Sequence, residues 1–460
     1  MQWANWAGAL SSAPQKQLLD LVFNKTAGGL GLNVVRYNIG GGSTDKSIMA
    51  RYKYSPYMMT PGYLDSPGGV YNWSRDGYQR KILYGAIARG VNVVEAVAYS
   101  PPSWMTVSKD NEGSLARDVP NLDPSNYKQY ATYLATVTAA FKTRYGVTFQ
   151  ALSIMNEAIE GWWVATQDSY QEGCTMGVPA WSTLTLAVSD ALKAQGLTTP
   201  IAAFDSWVQY TMWTLLANVT RPAQDLVQQI NLHTYRGVDP SSFPNDYSNR
   251  WTMNMVAKRL NKSKILTTSE WDPEIKEQDW MRGVYAGSQI SMDINVLGVR
   301  QFSWFQAVGN IVQHTASLVN THFTWNYVDP DNITINDMFY FYKQYTMWFV
   351  PGTFPIEVDV SCAAGLVAGY DPTNQRLILI VTNMLDKTLY FRFNFKEFKE
   401  VDGKCKMAIF RSSATEKYTQ LASATVRIPG KRKLAIRPLS ITTYVISGVA
   451  LPASASVPTL

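Results

Sequence analysis

The chain has 460 residues, 46% of them hydrophobic and 17% charged, with a net charge of +6. That is enough chain for a large core and more than one domain, and no stretch reaches the roughly 18 uninterrupted apolar residues of a membrane helix. Three Cys exclude a disulfide framework, and no Cys/His spacing resembles a zinc site, the three His lying far apart in sequence.

The first forty residues hold a helical stretch, about Pro14 to Asn24, and then the apolar run Leu32 to Ile39, which exits into Gly40-Gly41-Gly42. The triple glycine lacks the Lys-Ser/Thr of a phosphate loop, so it reads as a flexible strand exit. Arg36 lies inside this run, where a guanidinium is costly unless paired, so an acid is expected opposite it. After a Tyr/Pro/Gly-rich loop, a helix is expected from about Arg75 to Arg89. The strand Val91 to Ala98 then runs into Ser100-Pro-Pro-Ser-Trp104, whose prolines stiffen the exit around Trp104. A helix from Ser125 to Tyr145 delivers the run Phe149 to Glu157, which ends in Asn156-Glu157. Glu160, Trp162, Trp163, Glu172 and Cys174 fall in the loop beyond.

Shorter units follow, with strands around Ile201, Asn231, Leu266 and Arg300 separated by helical segments. Strand alternating with helix argues for parallel βα units. Each run emerges into polar or aromatic residues: Asp205 and Trp207, His233 and Tyr235, Glu270, Trp304. A buried parallel strand is apolar inside the sheet and polar where it emerges, so these side chains are expected at one mouth. From about residue 346 short alternating runs broken by Asp-Pro, Asp-Gly and Pro-Gly turns describe an antiparallel β-domain. This segment carries the positive charge, 15 Lys+Arg against 8 Asp+Glu from Tyr340 onward. The cations are scattered, apart from Lys431-Arg432-Lys433, which suits a solvated face or an acidic polysaccharide better than nucleic acid. Cys362 and Cys405 both lie here and are able to pair, leaving Cys174 free.

The expected architecture is therefore an α/β (β/α)8 TIM barrel over 1–345, a β-sandwich over 346–450 and a disordered tail over 451–460. Only seven barrel strands are found, starting near Val34, Val93, Ala151, Ile201, Asn231, Leu266 and Arg300. The first strand of the barrel is expected ahead of Gln2, so the sequence is read as lacking a native N-terminal segment. The same loss would account for the missing secretion leader, while five N-x-S/T sequons, at Asn24, Asn72, Asn218, Asn261 and Asn332, are compatible with a secreted glycoprotein.

Two glutamates at the same mouth of a parallel barrel are what a retaining glycoside hydrolase uses, one as acid/base and one as nucleophile. The motifs resemble glycoside hydrolase family 30 over about Trp3 to Gly448, and most of all its fungal-type endo-β-1,6-galactanases. The resemblance rests on Gln2-Trp-Ala-Asn-Trp6, Arg36-Tyr-Asn-Ile-Gly-Gly41, Ser100 to Thr106, Trp162-Trp163 with Gln171-Glu-Gly-Cys174, and His233-Thr-Tyr235. It implies Glu157 as acid/base and Glu270 as nucleophile, with Arg36 keeping Glu270 ionised, and it implies no metal or organic cofactor. Trp304 is the expected floor of the reacting sugar's site, and Asn38, Trp104, Asn156, Trp207, His233 and Tyr235 are expected around it. Asn38, His233 and Tyr235 are the candidates for the axial hydroxyl of galactose. The implied substrate is the β-1,6-galactan of arabinogalactan, and the implied protein is a secreted monomer. β-1,6-Glucan, xylan and glucosylceramide are the alternative substrates, and a carbohydrate-binding protein without turnover is the alternative class. Ala158 departs from the family's Asn-Glu-Pro, which puts the rigidity of the turn behind Glu157 in question.

Overall fold

The computed structural model describes residues 3–42, 60–165, 171–207, 209–235, 243–260, 264–273, 277–310, 316–324, 327–401 and 405–451. The putting together of the site begins with one parallel sheet of seven strands in chain order: β1 (Val34–Asn38), β2 (Val93–Val97), β3 (Ala151–Ser153), β4 (Ile201–Ser206), β5 (Val227–His233), β6 (Ile265–Trp271) and β7 (Gln301–Trp304). The starts agree with the sequence reading, except that β5 begins at Val227, directly after a short helix (Arg221–Leu226). β4 is buried along its whole length, as a strand covered on one side by helices and on the other by the barrel interior must be.

The helices between strands form the outer layer. α1 (Ala4–Ala9) and α2 (Ser12–Phe23) precede β1. α2 has Pro14 in its first turn, where a missing N–H costs nothing. It buries Leu18, Leu19, Val22 and Phe23 and leaves Lys16 exposed. α3 (Gly77–Ile87) and α4 (Tyr127–Arg144) cover β1 to β3, and the Tyr37 ring packs on Phe141 of α4 at 4.7 Å. Along β1, therefore, Tyr37 faces the helices and Arg36 faces the barrel interior, the alternation a strand imposes.

Among the described residues the sheet does not close. β1 pairs only with β2, β7 pairs only with β6, and among the described residues no strand joins the two edges. A cavity of about 910 Å³ lies between them. Val34, Val35 and Arg36 line it on one side and Gln301, Phe302 and Ser303 on the other. Val22 and Phe23 of α2 wall it from outside, and Glu270, Tyr99 and Trp304 stand at its upper end.

After β7 comes a small three-stranded sheet (Val308–Asn310, Val319–Thr324, Tyr327–Ile335) that the sequence reading did not anticipate. The C-terminal part is antiparallel. Its six-stranded sheet has Arg376–Asn383 and Ser440–Ser447 at the centre, and the strands Leu389–Asn394 and Lys431–Ile436 pair beside it. The Arg376–Asn383 strand is buried on both faces. Leu377, Leu379 and Val381 join the core shared with Phe393 and Ile436, whereas Ile378 and Ile380 join the barrel's core. The Cys362–Cys405 pairing that the sequence left open does not form: both thiols are free, and the Cys405 Sγ faces the Gly448 carbonyl at 3.2 Å. Shared membership of one β-domain did not bring the two sulfurs together. Of the tail, only Leu451 lies within the described residues.

Candidate active site

β3 and β6 end beside one another in function though not in the sheet, and each delivers a carboxylate to the mouth. Donor atoms of Glu157, His233 and Glu270 all lie within 4.8 Å of one another, and all three residues are buried. The two glutamates are 6% and 8% exposed, which leaves each a narrow opening to a ligand.

Glu157 sits just past β3 with φ +45°, a left-handed conformation uncommon for a residue with a side chain. Several bonds hold it there. Its N–H donates to the Asp205 carbonyl at 3.1 Å, and its own carbonyl accepts from the Glu160 N–H at 3.0 Å and the Trp163 indole at 3.2 Å. Ala158, the departure from the family motif, is fully buried, and its carbonyl accepts the N–H of Met176. The turn behind Glu157 is thus fixed by the loop after Cys174 and needs no proline ring.

Glu270 is set in a cradle of donors. Tyr235 donates to one oxygen at 3.1 Å; Tyr99, at 3.2 Å, and Arg36, at 3.4 Å, donate to the other. The expected acid opposite Arg36 exists, but its nearer partner is Asp205, at 2.8 Å. Asp205 is completely buried and also accepts from the hydroxyls of Ser153 and Ser269, the latter at 2.6 Å. Burial alone would raise its pKa, but the Arg36 guanidinium, His233 and the Ser153 bond hold the carboxyl well below the usual carboxylate range.

His233 lies between these acids with no exposed surface. Its Nδ1 is 2.9 Å from Glu157 and 3.6 Å from Glu270, and its Nε2 is 3.6 Å from Asp205. Burial opposes its charge, but the Glu270, Asp205 and Glu157 carboxylates outweigh it and push the imidazole up to about 10. Glu157 is pushed up to about 7, chiefly by burial and further by Glu270, with His233 pulling the other way. The triangle has the donor types of a metal site, one imidazole nitrogen and two carboxylate oxygens.

His233 is therefore a buried brace between the carboxylates, and the expectation that it touches the sugar's axial hydroxyl is not supported by its position. The Tyr235 hydroxyl is likewise on Glu270. Asn156 is 1% exposed, and its buried amide oxygen and nitrogen have no hydrogen-bond partner in the protein. Asn38 is buried and bonded to Thr60 at 2.8 Å and to Glu172 at 3.4 Å. Trp104 is half-buried with its indole on the Leu64 carbonyl. Trp304 lines the cavity beside Glu270 and packs edge-to-face on Trp271, with ring centroids 5.5 Å apart. Trp207 pairs with Trp162 on the Glu157 side.

Three residues have roles that the sequence did not assign: Asp205, expected at the mouth without a task, Glu172, placed only in the loop beyond Glu157, and Tyr99, not singled out. Asp205 and Tyr99 directly end or follow barrel strands, which is a signal of the same kind that marked the glutamates. Glu172 accepts from the backbone N–H groups of Gly41 and Gly42, both at 3.1 Å, and from Asn111 at 3.0 Å. It thereby fixes the triglycine exit of β1, and burial pushes its carboxyl up to about 8.

A parallel barrel with two neighbouring carboxylates at the C-terminal ends of its strands defines a glycoside hydrolase, and comparison with known proteins agrees. Residues 4–230 match the family model described as O-Glycosyl hydrolase family 30, and the chain is a family 30 glycoside hydrolase. It is 24% identical over 377 residues to an endo-beta-1,6-galactanase of Hypocrea rufa, covering 79% of this chain and 72% of that protein. The fold is shared with a conserved exported protein from Bacteroides fragilis (TM-score 0.80, 16% identity, 96% and 95% of the two chains). It is shared also with the catalytic domain of a family 30 xylanase from Talaromyces cellulolyticus (TM-score 0.70, 16% identity, 97% and 95%).

Proposed function

We propose that the protein is a retaining endo-β-1,6-galactanase in which Glu157 is the acid/base and Glu270 the nucleophile. The observation that carries this reading is that one oxygen of each carboxylate lies within 4.8 Å of the other. Retaining enzymes hold the groups about 5–5.5 Å apart, whereas inverting enzymes leave roughly 6.5–9.5 Å for a water. In the first step a Glu270 oxygen bonds to the anomeric carbon as the glycosidic bond breaks, and the departing oxygen takes the proton of Glu157. In the second, Glu157 removes a proton from water, the water oxygen bonds to the anomeric carbon, and Glu270 leaves.

The braces divide this labour. A His233 Nδ1–H on one oxygen of Glu157 leaves the other oxygen to carry the mobile proton, and burial keeps that proton in place near neutrality. Glu270 faces two tyrosine hydroxyls and a guanidinium, a setting that suits a carboxylate. The choice of galactan is supported by the Hypocrea rufa relative and by aromatic walls set at angles around the mouth, which suit the flexible 1,6-linkage better than a flat chain.

The test is reducing-sugar release from de-arabinosylated arabinogalactan, with the anomer of the first product followed by NMR. Release of the β-anomer first, abolished in Glu270→Gln, is expected. First appearance of the α-anomer would refute retention, and faster hydrolysis of β-1,6-glucan or xylan would refute the galactan assignment.

A further inference from the structure

We propose that Trp162 and Trp207 form the sugar-binding corner on the leaving-group side of the scissile bond, shaped for a single pyranose that presents its primary hydroxyl to Glu157. This rests on the retaining-glycosidase reading and adds to it where the departing, or accepting, sugar sits.

The two indoles come from consecutive strand exits, after β3 and β4, and both are partly exposed. Their centroids are 5.5 Å apart and their planes cross at 84°. The segments that carry them are linked to the backbone of Glu157 through Glu160 and Trp163. Glu160 donates its N–H to the Glu157 carbonyl, and its side chain accepts from the Ser206 hydroxyl at 2.9 Å and from the backbone N–H of Trp207 at 3.1 Å. Trp163, which packs on Trp162 at 6.3 Å, puts its indole N–H on the same Glu157 carbonyl. Hydrogen bonds join Glu157, Glu160, Trp163 and the Trp207 backbone, and ring contacts add Trp162, so the group forms one unit on the acid/base side, while Trp304 and Trp271 stand on the Glu270 side.

Chemistry decides which sugar each set meets. The acid/base gives its proton to the oxygen of the leaving group, so that sugar lies along Glu157. An edge-to-face indole pair offers one ring face and closes it at a right angle with a second ring. Such a corner takes one pyranose and blocks a flat continuation, so the bond entering it must turn, as a linkage through an exocyclic CH₂ can. The corner also takes acceptors. When a sugar there attacks the glycosyl-enzyme, the bond from the anomeric carbon to Glu270 breaks. The anomeric carbon bonds to O6 of the acceptor, and the hydroxyl proton passes to Glu157.

The experiment compares β-1,6-galactan with β-1,6-galactobiosyl fluoride, whose leaving group is fluoride and cannot use the corner. In Trp162→Ala and Trp207→Ala, kcat/KM on galactan is expected to fall at least tenfold more than on the fluoride. Transfer to added galactobiose, relative to hydrolysis, should fall in parallel. Glu160→Gln serves as a positioning control, with the same pattern in weaker form. Equal losses on the two substrates, or an unchanged transfer ratio, would overturn the assignment. A wild-type protein that releases fluoride but fails to cut galactan would also overturn it, while one inert on both would remove the hydrolase reading itself.

Discussion

Burial and a charged neighbour act on Glu157 in opposite directions, and the balance gives a measurable pH profile. Its carboxyl must be protonated for the first step, and it loses that proton as pH rises through about 7. The alkaline limb of kcat/KM is therefore expected near pH 7. His233→Gln removes the cation that lowers Glu157, so the limb should move to higher pH; a limb that stays in place would show that His233 does not act on Glu157. Asp205 is the second case. It is the buried anion that balances both Arg36 and His233. Asp205→Asn leaves two cations short of a partner, and breaking a buried pair typically costs about 3–5 kcal/mol. Denaturant unfolding should show a loss of that order, and unchanged stability would mean Arg36 is held by Glu270 alone. Asp205 illustrates what sequence shows poorly. Its position at a strand end was legible, but its importance arises from Arg36, Ser153, Ser269 and Asn231, which four other strands bring to it.

At the level of elements, much was legible because a parallel strand buried on both faces leaves a continuous apolar run with an abrupt polar end. The Ile265–Trp271 and Ala151–Ser153 strands both show it, and the two carboxylates follow from it. The Cys362–Cys405 pairing stayed open in the sequence for the opposite reason: a cysteine count carries no information about the distance between sulfurs. The open seam between β1 and β7 was foreseen from the strand count and carries its own prediction. Unpaired edge amides are free to exchange unless something covers them. Hydrogen exchange along β1 and β7 is expected to outpace that along β3 to β5. Joining a strand-forming segment ahead of Met1, apolar on alternate residues, should raise the melting temperature and slow that exchange. Equal protection along all seven strands before any addition would show that the seam is not an open edge in solution.

Across the whole molecule, the barrel and the C-terminal sheet meet through a contact that two glycines make possible. Gly283 and Gly287 lie one turn apart on the helix Asp279–Met292, so they share a face. A Cβ on Gly283 would come 2.4 Å from the Phe341 ring, and one on Gly287 would come 2.4 Å from Ile441 and 2.6 Å from Thr382. Phe341 belongs to the helix Asp337–Thr346, whereas Ile441 and Thr382 belong to the central strands of the C-terminal sheet. Two effects compete in Gly287→Ala. The helix gains about 1 kcal/mol in propensity, but overpacking a close-packed contact costs about 1–3 kcal/mol. Because the Cβ overlaps two side chains at once, the loss is expected to win. The variant should melt several degrees lower, and Gly287→Val lower still. Pairing Gly287→Ala with Ile441→Val opens space at the nearer contact, so the double variant should recover part of the loss as a non-additive term. Calorimetry reads this directly. A stabilised Gly287→Ala, or strict additivity in the double variant, would mean that the sheet and the barrel do not bear on each other through this face.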